Sequence, residues 1–201
     1  MTQTTESLTS EHRTKAVASA GFMLRHPARL LALGFGTGLS PVAPGTVATL
    51  WAWLSYEVLT AWIAPTSMLW LVITASLLGW WASASTARQL NIRDPGCVVI
   101  DEIAAFWLVL WLLQANTWTL ALLAFCLFRF FDAVKPGPVG WADRLCHFVD
   151  PKADRAAWAK IGAGIMLDDF VAAGCALVVV LAIQWSVGMS SSLSGLAAYL
   201  R

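Results

Sequence analysis

The residues of this sequence best able to do chemistry are carboxylates. Asp101-Glu102 and Asp168-Asp169 form two adjacent acidic pairs, and Arg129 and Asp132 stand three apart, on one face of a helix. All lie within or beside apolar runs, where an ionisable side chain is expensive unless it pairs, faces water or binds an ion. Adjacent carboxylates in a low dielectric repel until a cation or a proton relieves them. One acid at a helix start could simply cap amides and complement the helix dipole. Two acidic pairs and an Arg-Asp pair in separate segments are better explained by a bound divalent cation. Oxygen donors suit Mg2+ rather than zinc, because the chain has three histidines and only His147 falls near these acids. His12 and His26 read as solvated. Mg2+ keeps waters and bridges carboxylates to phosphate oxygens, so phosphate chemistry is the expected use.

A glycine-rich stretch, GFGTGLSPVAPGT from Gly34 to Thr46, supports that reading. Glycine lets a ligand approach the backbone, and Ser40-Pro41 and Gly45-Thr46 both look like helix entries offering free amides. The stretch is not a dinucleotide fingerprint, since Pro41 and Pro44 interrupt the helix that should follow, and no Walker lysine is present. Cys97, Cys126, Cys146 and Cys175 form no CxxC pair, which disfavours a disulfide framework or zinc site, and Cys126 and Cys175 read as packing residues. A cysteine phosphatase needs an arginine six residues after its nucleophile; Ile103 and Lys152 occupy those positions after Cys97 and Cys146. Three histidines are too few for a histidine phosphatase.

The elements that must position these groups are apolar. Of 201 residues, 58% are hydrophobic and 12% charged, against about 25% charged in a soluble domain. Twelve tryptophans add to the membrane reading, and a net charge of +1 without a basic face excludes a nucleic-acid footprint. Apolar runs cover 46–64, 67–87, 98–114, 117–131 and 165–187. A spanning helix needs about 20 residues, so the third and fourth runs either extend toward Pro95 and Pro136 or form a shallow hairpin. The expected fold is all-α, a polytopic membrane bundle of four to five apolar helices over 30–188. A polar cytoplasmic segment, 1–29, precedes it and a tail, 189–201, follows; 1–29 lacks the long apolar region of a cleaved signal peptide.

Lys and Arg collect in the N-terminal segment, in the 88–97 turn and in the 132–164 loop, whereas Pro65-Thr66 and Ala115-Asn116 carry no charge. The positive-inside rule therefore puts the first three segments in the cytoplasm. Trp62, Trp70 and Trp118 border the outer turns and Trp80, Trp81, Trp141 and Trp158 the inner ends, as two aromatic belts would. In this topology Asp101 and Glu102 open the third helix, Arg129 and Asp132 close the fourth, and Asp168 and Asp169 open the fifth, all at one depth near the inner face. Glu57, alone in mid-helix, reads as a buried hydrogen-bonding partner rather than a relay. Two other functions compete. A transporter or channel would need polar residues through the whole depth, and the outer halves are apolar. A transferase using a CDP-activated lipid would need a glycine-and-arginine-spaced aspartate motif, which is missing.

Four blocks in order, GFGTGLSPVAPGT, VIDEIAAFW, FRFFDAVKPGPVGWADR and GIMLDDFVAAG, resemble the signatures of the phosphatidylglycerophosphatase A family over roughly residues 30 to 185. The resemblance implies an all-helical, Mg2+-dependent enzyme of the bacterial inner membrane. Such an enzyme hydrolyses the phosphomonoester of phosphatidylglycerophosphate, a phospholipid, at the cytoplasmic leaflet. Position by position it nominates Asp101, Glu102, Asp132, Asp168 and Asp169 as metal-binding or water-activating carboxylates, with Arg129 as a catalytic partner. Lys135, Arg144, Gly36, Gly38, Ser40, Pro44, Gly45 and Thr46 would meet the phosphate. The chain departs from the pattern at Ala104 and Ala105, where a glycine is expected, and in a longer stretch from Leu145 to Lys160.

Overall fold

A computed structural model describes residues 19–115, 117–147, 149–151 and 156–186, with the side chains of 145–147 left aside. Arg13, Lys15, His12, Lys152, Arg155, the His147 and Cys146 side chains and the 189–201 tail lie outside the described residues.

Among the described residues every regular element is helical. Short helices α1 (Ala20–Leu24) and α2 (Pro27–Ala32) lead into a kinked 3-10 segment, Gly34–Leu39. Five long helices follow: α3 (Pro44–Thr60), α4 (Pro65–Leu90), α5 (Ile100–Leu113), α6 (Trp118–Val134) and, after the ten-residue α7 (Pro138–His147), α8 (Ala157–Ser186). Proline stands in the first turn of α2, α3 and α4, where its missing N–H costs nothing. Thr117 Oγ1 accepts from Leu120 N to start α6. Asn91, Gln114 and Lys135 take the left-handed conformation that ends α4, α5 and α6.

The most apolar helix, α5, sits at the centre and packs against α3, α4 and α8. Its Phe106, Val109 and Leu110 are wholly buried. Indole N–H groups tie it to its neighbours: Trp107 Nε1 donates to Ala52 O and Trp111 Nε1 to Pro65 O, each at 2.9 Å. The crossing of α8 over α4 depends on Gly162, because a Cβ there would stand 2.8 Å from the backbone nitrogen of Ala84. Ala104 and Ala105, the departures from the family pattern, are fully buried. Glu57 accepts from Trp53 Nε1 at 3.2 Å as a hydrogen-bonding partner, but it is half-buried rather than buried, because that partner is one turn away on its own helix.

Several boundaries differ from the apolar runs. The last helix begins at Ala157 rather than near 165, because Lys160 and the alanines and glycines around it dilute the hydropathy of opening turns that are nonetheless helical. Asp168 and Asp169 therefore do not open it; they stand about 17 Å along its axis. Ser40-Pro41 is no helix entry, since the chain stays irregular until Pro44. Cys126 lies on the exposed side of α6 rather than in packing. His26 is half-buried and caps α2, with Nδ1 accepting from Ala28 N.

Two helices, α4 and α8, are long and apolar enough to cross a membrane. Only 28% and 44% of their most apolar stretches are buried, unlike the core helix of a soluble domain. The exposed apolar side chains include Trp62, Trp70, Trp118 and Trp185, each more than two-thirds exposed. Such a surface is far more apolar than water-facing helices carry. At 14 residues, α5 is about 21 Å long, shorter than a hydrocarbon core of about 30 Å.

Candidate metal and phosphate site

The first turn of α5 carries Asp101 and Glu102, and α8 passes beside it with Asp169 facing inward. One carboxylate oxygen from each of these three lies within 4.8 Å of the other two. Asp101 and Asp169 are buried, and the Glu102 side chain is 13% exposed. From α6, Arg129 Nη1 stands 2.5 Å from Asp132 Oδ2 and 3.5 Å from Glu102 Oε1. From α3, Gly45 closes the fourth side. A Cβ at that position would collide with Glu102 Oε1 and stand 3.0 Å from Arg129 Nη2, so only glycine admits both side chains. Four helices separated by up to 124 positions thus converge on one small volume.

Beneath it the site is floored by aromatic side chains. Phe106 and Phe128 are fully buried with ring centroids 5.5 Å apart, and Phe125, Trp53 and Trp118 continue the aromatic floor toward the far end of the bundle. Charges above such a floor interact through a low dielectric. Two atoms within the cluster, Glu102 Oε2 and Arg129 Nε, are buried without a hydrogen-bond partner. Buried polar atoms are nearly always paired, and an acceptor and a donor left unmatched side by side fit a site built for a cation and an anion together.

A second cluster borders the first. Lys135, at the end of α6, donates to Asp143 Oδ1 of α7 at 2.5 Å and to Asp168 Oδ2 of α8 at 2.6 Å. Burial weighs against its ammonium charge, but the Asp168 and Asp143 carboxylates outweigh burial and hold its pKa above the ordinary lysine value.

The nominated residues therefore separate. Asp101, Glu102 and Asp169 come together; Asp132 joins them through Arg129; Asp168 faces Lys135 instead. Of the glycine-rich stretch, Gly45 reaches the cluster, with Pro44 beside it at the start of α3. Gly38 packs against the Cys97 carbonyl, Gly36 takes φ +113°, where a Cβ would stand 4.0 Å from Met23 Sδ, Ser40 Oγ donates to Val42 O and Thr46 is exposed. Arg144 is exposed and its Nε donates to Gly140 O in its own helix. Two acids were not among the nominated site residues. Asp143 was separated from Lys135 by a Pro-Gly turn that hid their contact. Asp94, in the Arg93-Asp94-Pro95 turn, looks like ordinary turn chemistry, yet its charge acts on Asp101, Glu102, Asp168 and Lys135.

Comparison with known proteins places the chain in a family. The family model described as phosphatidylglycerophosphatase A matches residues 30–184. The chain belongs to the phosphatidylglycerophosphatase A family. Its relatives include the Escherichia coli (strain K12) phosphatidylglycerophosphatase A, 32% identical over 182 residues, which are 89% of this chain and 97% of that protein. The Haemophilus influenzae phosphatidylglycerophosphatase A is 35% identical over 162 residues, 81% of this chain and 91% of its own. A Bacteroides thetaiotaomicron relative, 32% identical over 165 residues (79% and 94%), is provisionally named a phosphatidylinositol-3-phosphatase. No solved structure matches the chain. Each of the four blocks that resemble phosphatidylglycerophosphatase A signatures delivers a residue to the two clusters: Gly45; Asp101 and Glu102; Arg129, Asp132, Lys135 and Asp143; Asp168 and Asp169.

Proposed function

We propose that this chain is a Mg2+-dependent lipid phosphatase of the bacterial inner membrane. It hydrolyses the phosphomonoester of phosphatidylglycerophosphate at the cytoplasmic leaflet, giving phosphatidylglycerol and inorganic phosphate. The observation that carries the reading is the meeting of Asp101, Glu102 and Asp169 beside Arg129 in a chain of this family. Asp101, Glu102 and Asp169 would hold the metal through hard oxygen donors, and the unmatched Glu102 Oε2 fits that use. A bound Mg2+ would supply charge neutralisation and Lewis acidity at a phosphate oxygen.

The remaining chemistry belongs to the side chains. Arg129, fixed between Asp132 and Glu102, presents its guanidinium to the phosphate, and its unmatched Nε adds a donor. Gly45 keeps the α3 backbone out of the space these groups occupy. The proton of the attacking water passes to the carboxylate of Asp132, already oriented through one oxygen by Arg129. The aromatic floor keeps bulk water from below, which strengthens every charge interaction above it.

The charge pattern supports a matching topology. Its acids lie at the end of α5 that follows the Arg88 and Arg93 turn and at the end of α6 that precedes Lys135, which the positive-inside rule assigns to the cytoplasm. In that orientation α4 and α8 cross fully, and α3, α5 and α6 complete a bundle of five apolar helices. The lipid tails stay in the inner leaflet while the headgroup enters between α3 and α6.

Purified protein in detergent micelles should release inorganic phosphate from phosphatidylglycerophosphate when Mg2+ is present and stop when it is chelated. Phosphatidylinositol 3-phosphate in a parallel assay should turn over more slowly. Asp101→Asn and Asp169→Asn should abolish turnover while circular dichroism shows intact helicity. Near-normal rates in those variants would overturn the assignment.

A further inference from the structure

Lys135 was expected to meet the phosphate, but its ammonium is engaged by two carboxylates from two other helices. We infer that Lys135 and Asp143 form a positioning latch that aims Asp169 into the carboxylate cluster by holding its neighbour Asp168 out of it. The inference rests on the metal reading above and adds to it two residues that touch neither metal nor phosphate.

Asp168 and Asp169 are consecutive, so on α8 their side chains point about 100° apart. One rotation of α8 presents Asp169 to Asp101 and Glu102; a different rotation would present Asp168. Nothing in the acid pair itself chooses between the two. Lys135 chooses, because Asp168 Oδ2 is 2.6 Å from its Nζ while Asp169 lies with the trio. The lysine is itself fixed from two directions. Its backbone ends α6 in the left-handed conformation, φ 48°, a region that non-glycine residues enter at a cost, with its N–H bonded to Phe131 O. The reversal through Pro136 and Gly137 then lays α7 directly on it. A Cβ at Gly140 would stand 2.6 Å from the Lys135 carbonyl, and Asp143, one turn further on, reaches the ammonium. Val139 and Ala142 anchor the same face of α7 with no exposure at all. The latch therefore joins the end of α6, the underside of α7 and the middle of α8 through one cation.

Groups that orient metal ligands are worth about 10-fold to 100-fold in metal affinity. Asp143→Asn should raise the Mg2+ concentration for half-maximal phosphate release by about 10-fold and leave the KM for the lipid near the wild-type value. Lys135→Met should do the same more severely, and the double variant should be no worse than Lys135→Met alone. Lys135→Arg should recover part of the loss, since it keeps a cation between the two acids. A readout independent of turnover is Mn2+ binding by electron paramagnetic resonance, which should weaken in parallel. The wild-type arm tests the metal reading by itself: absence of Mn2+ binding there refutes that reading, whatever the variants do. With wild-type binding intact, a raised lipid KM at unchanged metal affinity would assign Lys135 to the phosphate and overturn the latch, and so would an Asp143→Asn variant indistinguishable from wild type. If Lys135→Met loses helicity, Asp143→Asn and Lys135→Arg decide.

Discussion

Gly45→Ala is the smallest change that tests the geometry of the site. The glycine lies in the first turn of α3, and the place its Cβ would take is held by the Glu102 carboxylate, with Arg129 Nη2 3.0 Å away. Non-bonded heavy atoms settle about 3.5–4 Å apart, so a methyl group there drives the carboxylate back by on the order of 1 Å. Moving Glu102 also disturbs its ion pair with Arg129, whose Nη2 the same methyl group crowds. A misplacement of about 1 Å in a catalytic constellation costs on the order of 100-fold in rate, or about 2.7 kcal/mol of barrier. Stability should not follow activity down, since alanine is favoured over glycine within a helix by about 1 kcal/mol, which offsets part of the local strain. The assay is phosphate release from phosphatidylglycerophosphate in mixed micelles at saturating Mg2+, with thermal unfolding followed by circular dichroism. A large loss of turnover at a nearly unchanged melting temperature is expected. Wild-type turnover would refute the close approach of α3 to Glu102 and with it the four-helix construction of the site.

Other perturbations probe other parts. Arg129→Met leaves Asp132 and Glu102 facing each other without their shared cation; breaking a buried pair costs about 3–5 kcal/mol, and these side chains keep 13–18% exposure, so a loss at the lower end should appear as a reduced melting temperature. Gly162→Leu should separate α4 from α8 and cost about 1–3 kcal/mol by overpacking, again read by thermal unfolding; an unchanged melting temperature would contradict the close crossing. Topology can be read with single cysteines in a variant whose native cysteines are replaced. A cysteine at Arg88 should react with an impermeant thiol reagent only in inverted vesicles, and one at Thr66 only from the periplasmic side. The opposite pattern would reverse the bundle.

The chain's helical character and the grouping of its acids were legible because both rest on composition and order. Apolar runs predict helices whatever their partners, and acids beside apolar runs announce a site because burial makes them expensive. Orientation around a helix axis was not legible. Asp168 and Asp169 are chemically identical in the sequence, and only contacts made in the fold, the packing of α8 against α5 and α6 and the Lys135 ion pair with Asp168, decide which of them faces Glu102. The start of α8 was hidden for a related reason: Lys160 and the small residues around it lower the hydropathy of turns that tertiary contact with α4 and α7 keeps helical. Asp143 was missed because its meaning lies in a contact across a chain reversal.

The charge arrangement explains why these separate facts belong together. Among the described residues the two clusters hold six carboxylates, Asp101, Glu102, Asp132, Asp143, Asp168 and Asp169, and two cationic side chains, Arg129 and Lys135. The cations are placed at the edges rather than in the middle. Lys135 serves Asp143 and Asp168, and Arg129 lies closest to Asp132, with Glu102 a full ångström further away. Asp101 and Asp169 are buried between them, and repulsion among three carboxylates over an aromatic floor is not screened as it would be in water. A protein that only had to neutralise these acids would bring its arginine and lysine inward. Committing both to the outer acids keeps the central oxygens available and accepts a standing repulsion there. A divalent cation would relieve that repulsion, and an anionic phosphate could then enter beside Arg129. The same arrangement predicts that metal and phosphate bind cooperatively, each reducing the charge that opposes the other.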